Sequence, residues 1–166
     1  MSTDAKDVAQ QLARHVQDAL PQLAAVEALS AQPWAEGKWT RKQVLGHLID
    51  SALNNYHRVI RAQAGEELRF PDYAQGHWVD AGGYADRSWA DLVQLWAHLN
   101  VQLAHAMMRV PPEAMACPCH IGDGAPVTLG FIVRDYPRHL EHHLHQILGA
   151  QGAMGAEHPP FTSRRP

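Results

Sequence analysis

Four histidines lie within seven residues near the C-terminal end of the chain: His139, His142, His143 and His145. Imidazole is the commonest protein ligand for divalent transition metals. Because residues four apart lie on the same face of a helix, two of these imidazoles one turn apart can bind a single ion. The cluster therefore indicates metal chemistry.

Helical geometry separates the four histidines into two pairs. At about 100° per residue, two of them fall on an otherwise apolar stripe, which comprises Ile132, Tyr136, His139, Leu140, His143, Leu144 and Ile147. His142 and His145 fall on the polar side and should contact water. A lone buried histidine is usually hydrogen-bonded within the core, but one metal ion supplies a partner for two. We therefore predict that His139 and His143 are metal ligands.

Four amphipathic helices are expected to position these residues. Apolar side chains recur at three- and four-residue steps in four segments, which run from about 4 to 29, 41 to 64, 88 to 109 and 128 to 148. Thr40, Ser88 and Thr128 are predicted N-caps. Pro21 should bend or divide the first helix, and Pro137 should distort the last. With no convincing strand pattern, the chain is predicted to be an all-α four-helix bundle.

Two long connections interrupt the helical pattern. The segment from about 65 to 87 carries several aromatic residues, and loops of this length are usually functional or disordered. The aromatic residues favour order, and we expect a lid over one end of the bundle. The second connection, 110 to 127, contains Cys117 and Cys119. Zinc sites usually place two or more residues between paired cysteines, so free thiols in a loop are predicted.

A third metal ligand is expected from another helix, since bundles build metal sites from side chains on facing helices. His47 is the best candidate, because it lies one to two turns inside the second helix at the edge of its inner face. Asp50, three residues later, could orient an imidazole by a hydrogen bond.

The same helix carries a polar stripe formed by His47, Ser51, Asn54 and Arg58. Such a stripe is expected either of a helix that lines a polar pocket or of a solvated helix edge. Asp50, Asn54 and Arg58 are the candidate catalytic residues of that pocket. Arg58 could hold a carboxylate of the substrate, or it could form a surface ion pair.

Three phrases in this order resemble the DinB superfamily: Gly37-Lys38-Trp39-Thr40, Leu45-Gly46-His47-Leu48-Ile49-Asp50, and His139 to Ile147. The closer resemblance is to its branch of inferred metal-dependent hydrolases related to bacillithiol transferases, and it covers about residues 5 to 150. It implies an up-down-down-up bundle, a homodimer, and a divalent metal, usually zinc or nickel, bound by His47, His139 and His143. Pro137 departs from the smooth final helix expected of the family.

The resemblance also implies an activity. Three neutral imidazoles leave zinc with an open position, which is the mark of a catalytic site. Related proteins transfer low-molecular-weight thiols such as bacillithiol or mycothiol to electrophiles, or isomerise a substrate with a thiol cofactor. We therefore predict a metal-dependent transferase that uses a metal-bound thiolate. The alternatives are a hydrolase that uses metal-bound hydroxide and a non-enzymatic, stress-associated metal-binding protein.

Composition narrows the classes of partner. The chain has 166 residues and a net charge of -3, and its basic residues are not clustered, so no nucleic-acid surface is expected. No apolar run approaches the roughly 20 residues of a membrane span, and the N-terminus lacks the pattern of a signal peptide. We expect a cytoplasmic protein that binds a small-molecule substrate, with the bundle at residues 1–152 and a tail at 153–166.

Overall fold

The computed structural model describes residues 4–149. In this range the chain forms five α-helices: α1 (Ala5–Ala25), α2 (Arg41–Ala62), α3 (Gln75–Ala81), α4 (Trp89–Met108) and α5 (Leu129–Leu148). It also forms three short strands: β1 (Leu68–Phe70), β2 (Pro118–Ile121) and β3 (Val127–Thr128). The four long helices confirm the predicted all-α four-helix bundle. The predicted tail at 153–166 lies outside the described residues.

The predicted N-caps are confirmed at all three positions. Thr40 forms a capping box with Gln43, in which each side chain bonds the backbone N–H of the other, and this satisfies two helix-end donors at once. Ser88 and Thr128 each accept a bond from the third residue of their helix. Both Pro21 and Pro137 lie inside helices that continue past them, so Pro21 does not divide α1.

Two long-range hydrogen bonds give the relative directions of the helices. Nε of Arg41, at the start of α2, donates to the carbonyl oxygen of Ile147, at the end of α5, over 2.9 Å. The indole N–H of Trp89, which begins α4, donates to the carbonyl oxygen of Leu23 near the end of α1 over 2.8 Å. The pairs α2/α5 and α1/α4 are therefore antiparallel.

Helices α2 and α4 are parallel neighbours. Lys42, in the first turn of α2, donates to the carbonyl oxygen of Ala85, three residues before the cap of α4, so both helices start at the same end of the bundle. α1 and α2 each pack against both α4 and α5, so α1 lies diagonally opposite α2, and α4 lies diagonally opposite α5. The arrangement is the up-down-down-up topology that the resemblance implied.

The segment between α2 and α4, residues 63–88, is here called the crossover segment. The 22 residues of α2 span about 33 Å at 1.5 Å per residue, and a connection between parallel helices must return over that distance. β1, α3 and the 3₁₀ turn Tyr84–Asp86 all pack against α2 along the way. The segment therefore runs along the side of the bundle against α2, and the prediction of a lid over one end is wrong.

A small sheet joins the two long connections. β1 pairs in parallel with β2, with Leu68 opposite Cys119, and β2 pairs antiparallel with β3. The expectation of no strands is wrong because strands of two to four residues are too short to display an alternating pattern. Cys119 lies in β2 rather than in a loop, and both it and Cys117 are buried free thiols.

The core follows the predicted apolar stripes with one exception. Leu20 of α1 is apolar but 37% exposed. His142 and His145 face solvent as predicted. No helix in residues 4–149 has the length and apolar character needed to cross a membrane.

Candidate metal centre

Three histidines from two helices converge at one end of the bundle. His47 of α2 and His139 and His143 of α5 each offer a ring nitrogen, and these atoms lie within 4.8 Å of one another. The ring centroids are 4.6 Å apart between His139 and His143, 4.7 Å between His47 and His143, and 5.3 Å between His47 and His139. We call these three residues the histidine cluster.

The antiparallel pairing of α2 and α5 creates the histidine cluster. His47 lies in the second turn of α2, and His139 and His143 lie in the C-terminal half of α5. The bond from Arg41 to the carbonyl of Ile147 fixes these two helix ends against each other. The relative position of the two helices at the cluster is therefore supported by a hydrogen bond outside the three histidine side chains.

Burial keeps the histidine cluster uncharged at neutral pH. Desolvation, and then the proximity of His143, lowers the pKa of His47 to about 3. Desolvation likewise lowers the pKa of His143 to about 4, opposed by the hydrogen bond that His143 donates to Gln146, and it holds the pKa of His139 well below its usual value. Neutral imidazole is the form that binds a metal.

The donor set fits a divalent transition metal. The His47 side chain is 1% exposed, and its Nδ1 is buried without a hydrogen-bond partner, a costly state for a polar atom. Two nitrogens bound to one ion at about 2.1 Å can lie no more than about 4.2 Å apart. Separations of up to 4.8 Å therefore require only small ring rotations for all three to reach one ion.

Gln146 orients one ring of the cluster and was missed by sequence reasoning. The Nδ1–H of His143 donates to the amide oxygen of Gln146 over 2.7 Å, which leaves Nε2 of His143 as the free acceptor. Metal-binding histidines commonly donate their second ring nitrogen in this way. The spacing i, i+3 from His143 on the same helix was the available signal.

Asp50 has a different partner from the one expected. The Tyr84 hydroxyl donates to Asp50 Oδ1 over 2.5 Å, and Asp50 Oδ2 is buried without a partner. Burial raises the pKa of Asp50, with the bond from Tyr84 acting in the opposite sense. Among residues 4–149 no hydrogen bond joins Asp50 to His47, so the predicted orientation of that imidazole by Asp50 is not seen.

A cavity of about 110 Å³ adjoins the histidine cluster on the side of His139. Its polar lining comes from α2, α5 and the crossover segment, and includes Ser51, Asn55, Arg58, Asp72, Tyr73 and Asp135. Of the two alternatives for the polar stripe of α2, a polar pocket is therefore present, with Ser51 and Arg58 in its wall.

Asn54 does not line this cavity, contrary to the prediction for it. Its side-chain amide is buried and donates to the carbonyl oxygen of Asp50 within α2. Asn55, the next residue along α2, lines the cavity instead. The side chains of neighbouring residues point about 100° apart around a helix. A small error in the expected direction of the polar stripe therefore led to Asn54, and not Asn55, being predicted at the cavity.

Comparison with known proteins identifies the family. The sequence model of the DinB superfamily matches residues 7–147. The chain belongs to the DinB superfamily. No curated protein matches this DinB-superfamily chain significantly in sequence.

Solved structures share the DinB-superfamily fold. YfiT from Bacillus subtilis, described as a probable metal-dependent hydrolase with an unusual four-helix bundle topology, is 23% identical with a TM-score of 0.74, over 86% of this chain and 83% of YfiT. A mycothiol-dependent maleylpyruvate isomerase is 17% identical with a TM-score of 0.72, over 89% of this chain and 62% of the isomerase. A mutant of that isomerase is similar, with 18% identity and a TM-score of 0.72, over 87% and 61%.

Proposed function

We propose that this DinB-superfamily protein is a metal-dependent enzyme that transfers a low-molecular-weight thiol to an electrophile. The observation that carries the proposal is the convergence of three neutral imidazoles, one buried and two half-buried, beside a polar cavity. The likeness of fold to a mycothiol-dependent enzyme supports a thiol as the small molecule.

The proposed ligands are His47, His139 and His143. Imidazole donors suit zinc and nickel, and these are the expected metals. A divalent ion held by three neutral imidazoles keeps at least one position open and lowers the pKa of a thiol or water that binds there.

The cavity supplies groups that can bind and orient the reactants. Burial raises the pKa of Tyr73 to about 12, so its hydroxyl keeps its proton at neutral pH and can donate to a developing negative charge on the substrate. Ser51 and Asn55 line the same space. The crossover segment, which carries Tyr73, forms one wall of the cavity.

Thiol consumption tests the proposal directly. Metal-loaded and metal-stripped protein would be compared with monochlorobimane as the electrophile and cysteine, glutathione, bacillithiol and mycothiol as thiols. We expect a metal-dependent rate with at least one thiol, and its loss in His143→Ala. The absence of a metal-dependent rate with every thiol would overturn the proposal.

Hydrolysis is the second candidate. It is favoured by the likeness to YfiT, a probable metal-dependent hydrolase that matches over most of both chains. The same histidine cluster would activate water in place of a thiol, and the reaction would proceed on ester or amide substrates without added thiol. A non-enzymatic, stress-associated role predicts no turnover in either assay.

The homodimer implied by the resemblance stays a prediction. Light scattering coupled to size-exclusion chromatography would give the mass in solution for comparison with 18.4 kDa for one chain. The expected absence of nucleic-acid and membrane partners is also a prediction.

A further inference from the structure

Arg58 is a partly buried cation in the wall of the cavity. Its Nε is buried and has no hydrogen-bond partner, and burial lowers its pKa from the usual value, with Tyr73 and Asp72 acting in the opposite sense. A guanidinium stays charged throughout the physiological pH range. The structure thus holds a positive charge that has lost much of its hydration.

No carboxylate in the described part of the chain neutralises that charge by direct contact. Within residues 4–149, no carboxylate oxygen lies within 4.0 Å of the Arg58 guanidinium, and the ion pairs present involve other residues. The closest described interaction is with the ring of Phe70 in β1, whose centroid is 5.5 Å from Cζ of Arg58. A ring face stabilises a cation in place but leaves its N–H groups available to a ligand.

Arg58 lines the same cavity as His139, which is one member of the histidine cluster. Arg58 also follows His47 by 11 residues, or about three turns of α2, and helical side chains lean towards the N-terminus of their helix, here towards His47. A small elongated molecule can therefore contact the cluster at one end and Arg58 at the other.

The other charges in the cavity restrict the kind of anion. Asp72 and Asp135 also line it, and their negative charges oppose a ligand that carries two or more negative charges at one position. A planar carboxylate matches the fork of a guanidinium and accepts two parallel hydrogen bonds. These features favour a single carboxylate over a phosphate dianion.

We propose that Arg58 binds a carboxylate group of the small molecule whose other end reacts at the histidine cluster. The inference rests on the proposed function for the reacting end, and it assigns the substrate class: a carboxylate-bearing thiol, or a carboxylate-bearing electrophile. The same guanidinium serves in either case, so the two sources are separated by experiment.

Calorimetry with paired ligands tests the proposal. Metal-loaded protein would be titrated with ω-mercaptoalkanoates from 3-mercaptopropionate to 6-mercaptohexanoate and with the matching carboxamides. For at least one chain length we expect the acid to bind at least tenfold more tightly than the amide, since a hydrogen bond to a charged group contributes about 1.5–3 kcal/mol. A second titration would compare hexanoate with hexanamide in the presence of 2-mercaptoethanol. If only this pair shows a preference for the acid, the carboxylate belongs to the electrophile.

Variants distinguish a specific role of Arg58 in binding a carboxylate from the general effect of removing a positive charge. Arg58→Gln should remove the preference for the acid over the amide, and Arg58→Lys should retain part of that preference because a single ammonium lacks the fork. Arg61 is the matched control: it lies 5.7 Å from the same Phe70 ring but is exposed and outside the cavity lining. Arg61→Gln should bind every ligand as the wild type does. Equal affinities for acids and amides in the wild type, or equal losses in the Arg58 and Arg61 variants, would overturn the proposal.

A metal-free measurement keeps this inference distinct from the proposed function. The Nε–H resonance of Arg58, assigned through Arg58→Gln in ¹⁵N-labelled protein, should shift on addition of hexanoate and not of hexanamide. If thiols fail to bind the metal-loaded protein but this shift is present, the proposed function fails and the carboxylate site stands. If thiols bind the metal-loaded protein but neither the shift nor the preference for the acid is found, the proposed function stands and the carboxylate site fails.

Discussion

The hydroxyl of Tyr84 donates a 2.5 Å hydrogen bond to a carboxyl oxygen of Asp50, and this bond ties the crossover segment to α2 one turn beyond His47. Both side chains are buried. The contact joins the crossover segment, which lines the cavity through Asp72 and Tyr73, to the helix that carries His47. We therefore expect it to link the stability of the fold to the geometry of the candidate site.

Replacement of Tyr84 by phenylalanine should destabilise the protein. Asp50 would keep two buried oxygens without a partner, so we expect the free energy of unfolding to fall by about 1–3 kcal/mol, measured by urea denaturation. Tyr56→Phe, at a half-buried position on α2, is the control and should change stability by less. A Tyr84 variant as stable as the wild type would show that the bond contributes nothing.

Gly46 should not tolerate a side chain. A Cβ at this position would overlap the ring of Tyr84, and forced overpacking typically costs about 1–3 kcal/mol. Gly46→Ala should therefore lower the midpoint of thermal unfolding. Gly76→Ala is the matched control, because a Cβ there meets nothing within 4 Å and alanine favours the helix α3. Similar behaviour of the two variants would contradict the packing described.

Loss of one ring of the histidine cluster should remove the metal. Elemental analysis of protein purified without a histidine tag should find much less metal in His143→Ala than in the wild type. His145→Ala removes an exposed imidazole from the same helix and should leave the content unchanged. Unchanged metal in the His143 variant would refute its assignment as a ligand.

Gln146 should tune the affinity for metal without being a ligand. Its amide oxygen accepts a hydrogen bond from the Nδ1–H of His143. Loss of such an orienting group typically weakens metal binding about 10- to 100-fold. Gln146→Leu should show this loss in competition with a chromophoric chelator, whereas Gln22→Leu on the exposed side of α1 should not. An affinity equal to that of the wild type would mean that the hydrogen bond does not position the ring.

The histidine cluster should make the metal-free protein sensitive to mild acid. The folded-state pKa values of His47 and His143 are lowered to about 3 and 4, whereas an unfolded histidine titrates near 6.5. Between these values the unfolded state binds more protons, so stability rises with pH and is lost as pH falls below about 6.5.

Chemical denaturation of metal-stripped protein at a series of pH values would measure this dependence. His47→Asn removes one of the titrating groups and should show a shallower loss between pH 6.5 and 4 than the wild type. Parallel curves for the two proteins would indicate that His47 has an ordinary pKa in the folded state.

Local pattern was sufficient for the helices and for part of the site. Periodicity of 3.6 residues separated His139 and His143 from the exposed His142 and His145, and cap residues such as Thr40 gave the helix starts to within a residue. These features depend on residues within one or two turns, so sequence reasoning reaches them. His47 lies some ninety residues away and was reached only through the rule that bundles use facing helices and through the family resemblance.

The sequence alone determined which faces of the helices are buried and which residue types can bind a metal, because both follow from local spacing and side-chain chemistry. The tertiary structure decided the rest: that Asp50 bonds Tyr84 and not His47, that Asn55 and not Asn54 lines the cavity, and that Arg58 lacks a carboxylate partner among the described residues. Each depends on how the crossover segment returns along α2, and contacts between distant segments leave no periodic signal in the chain.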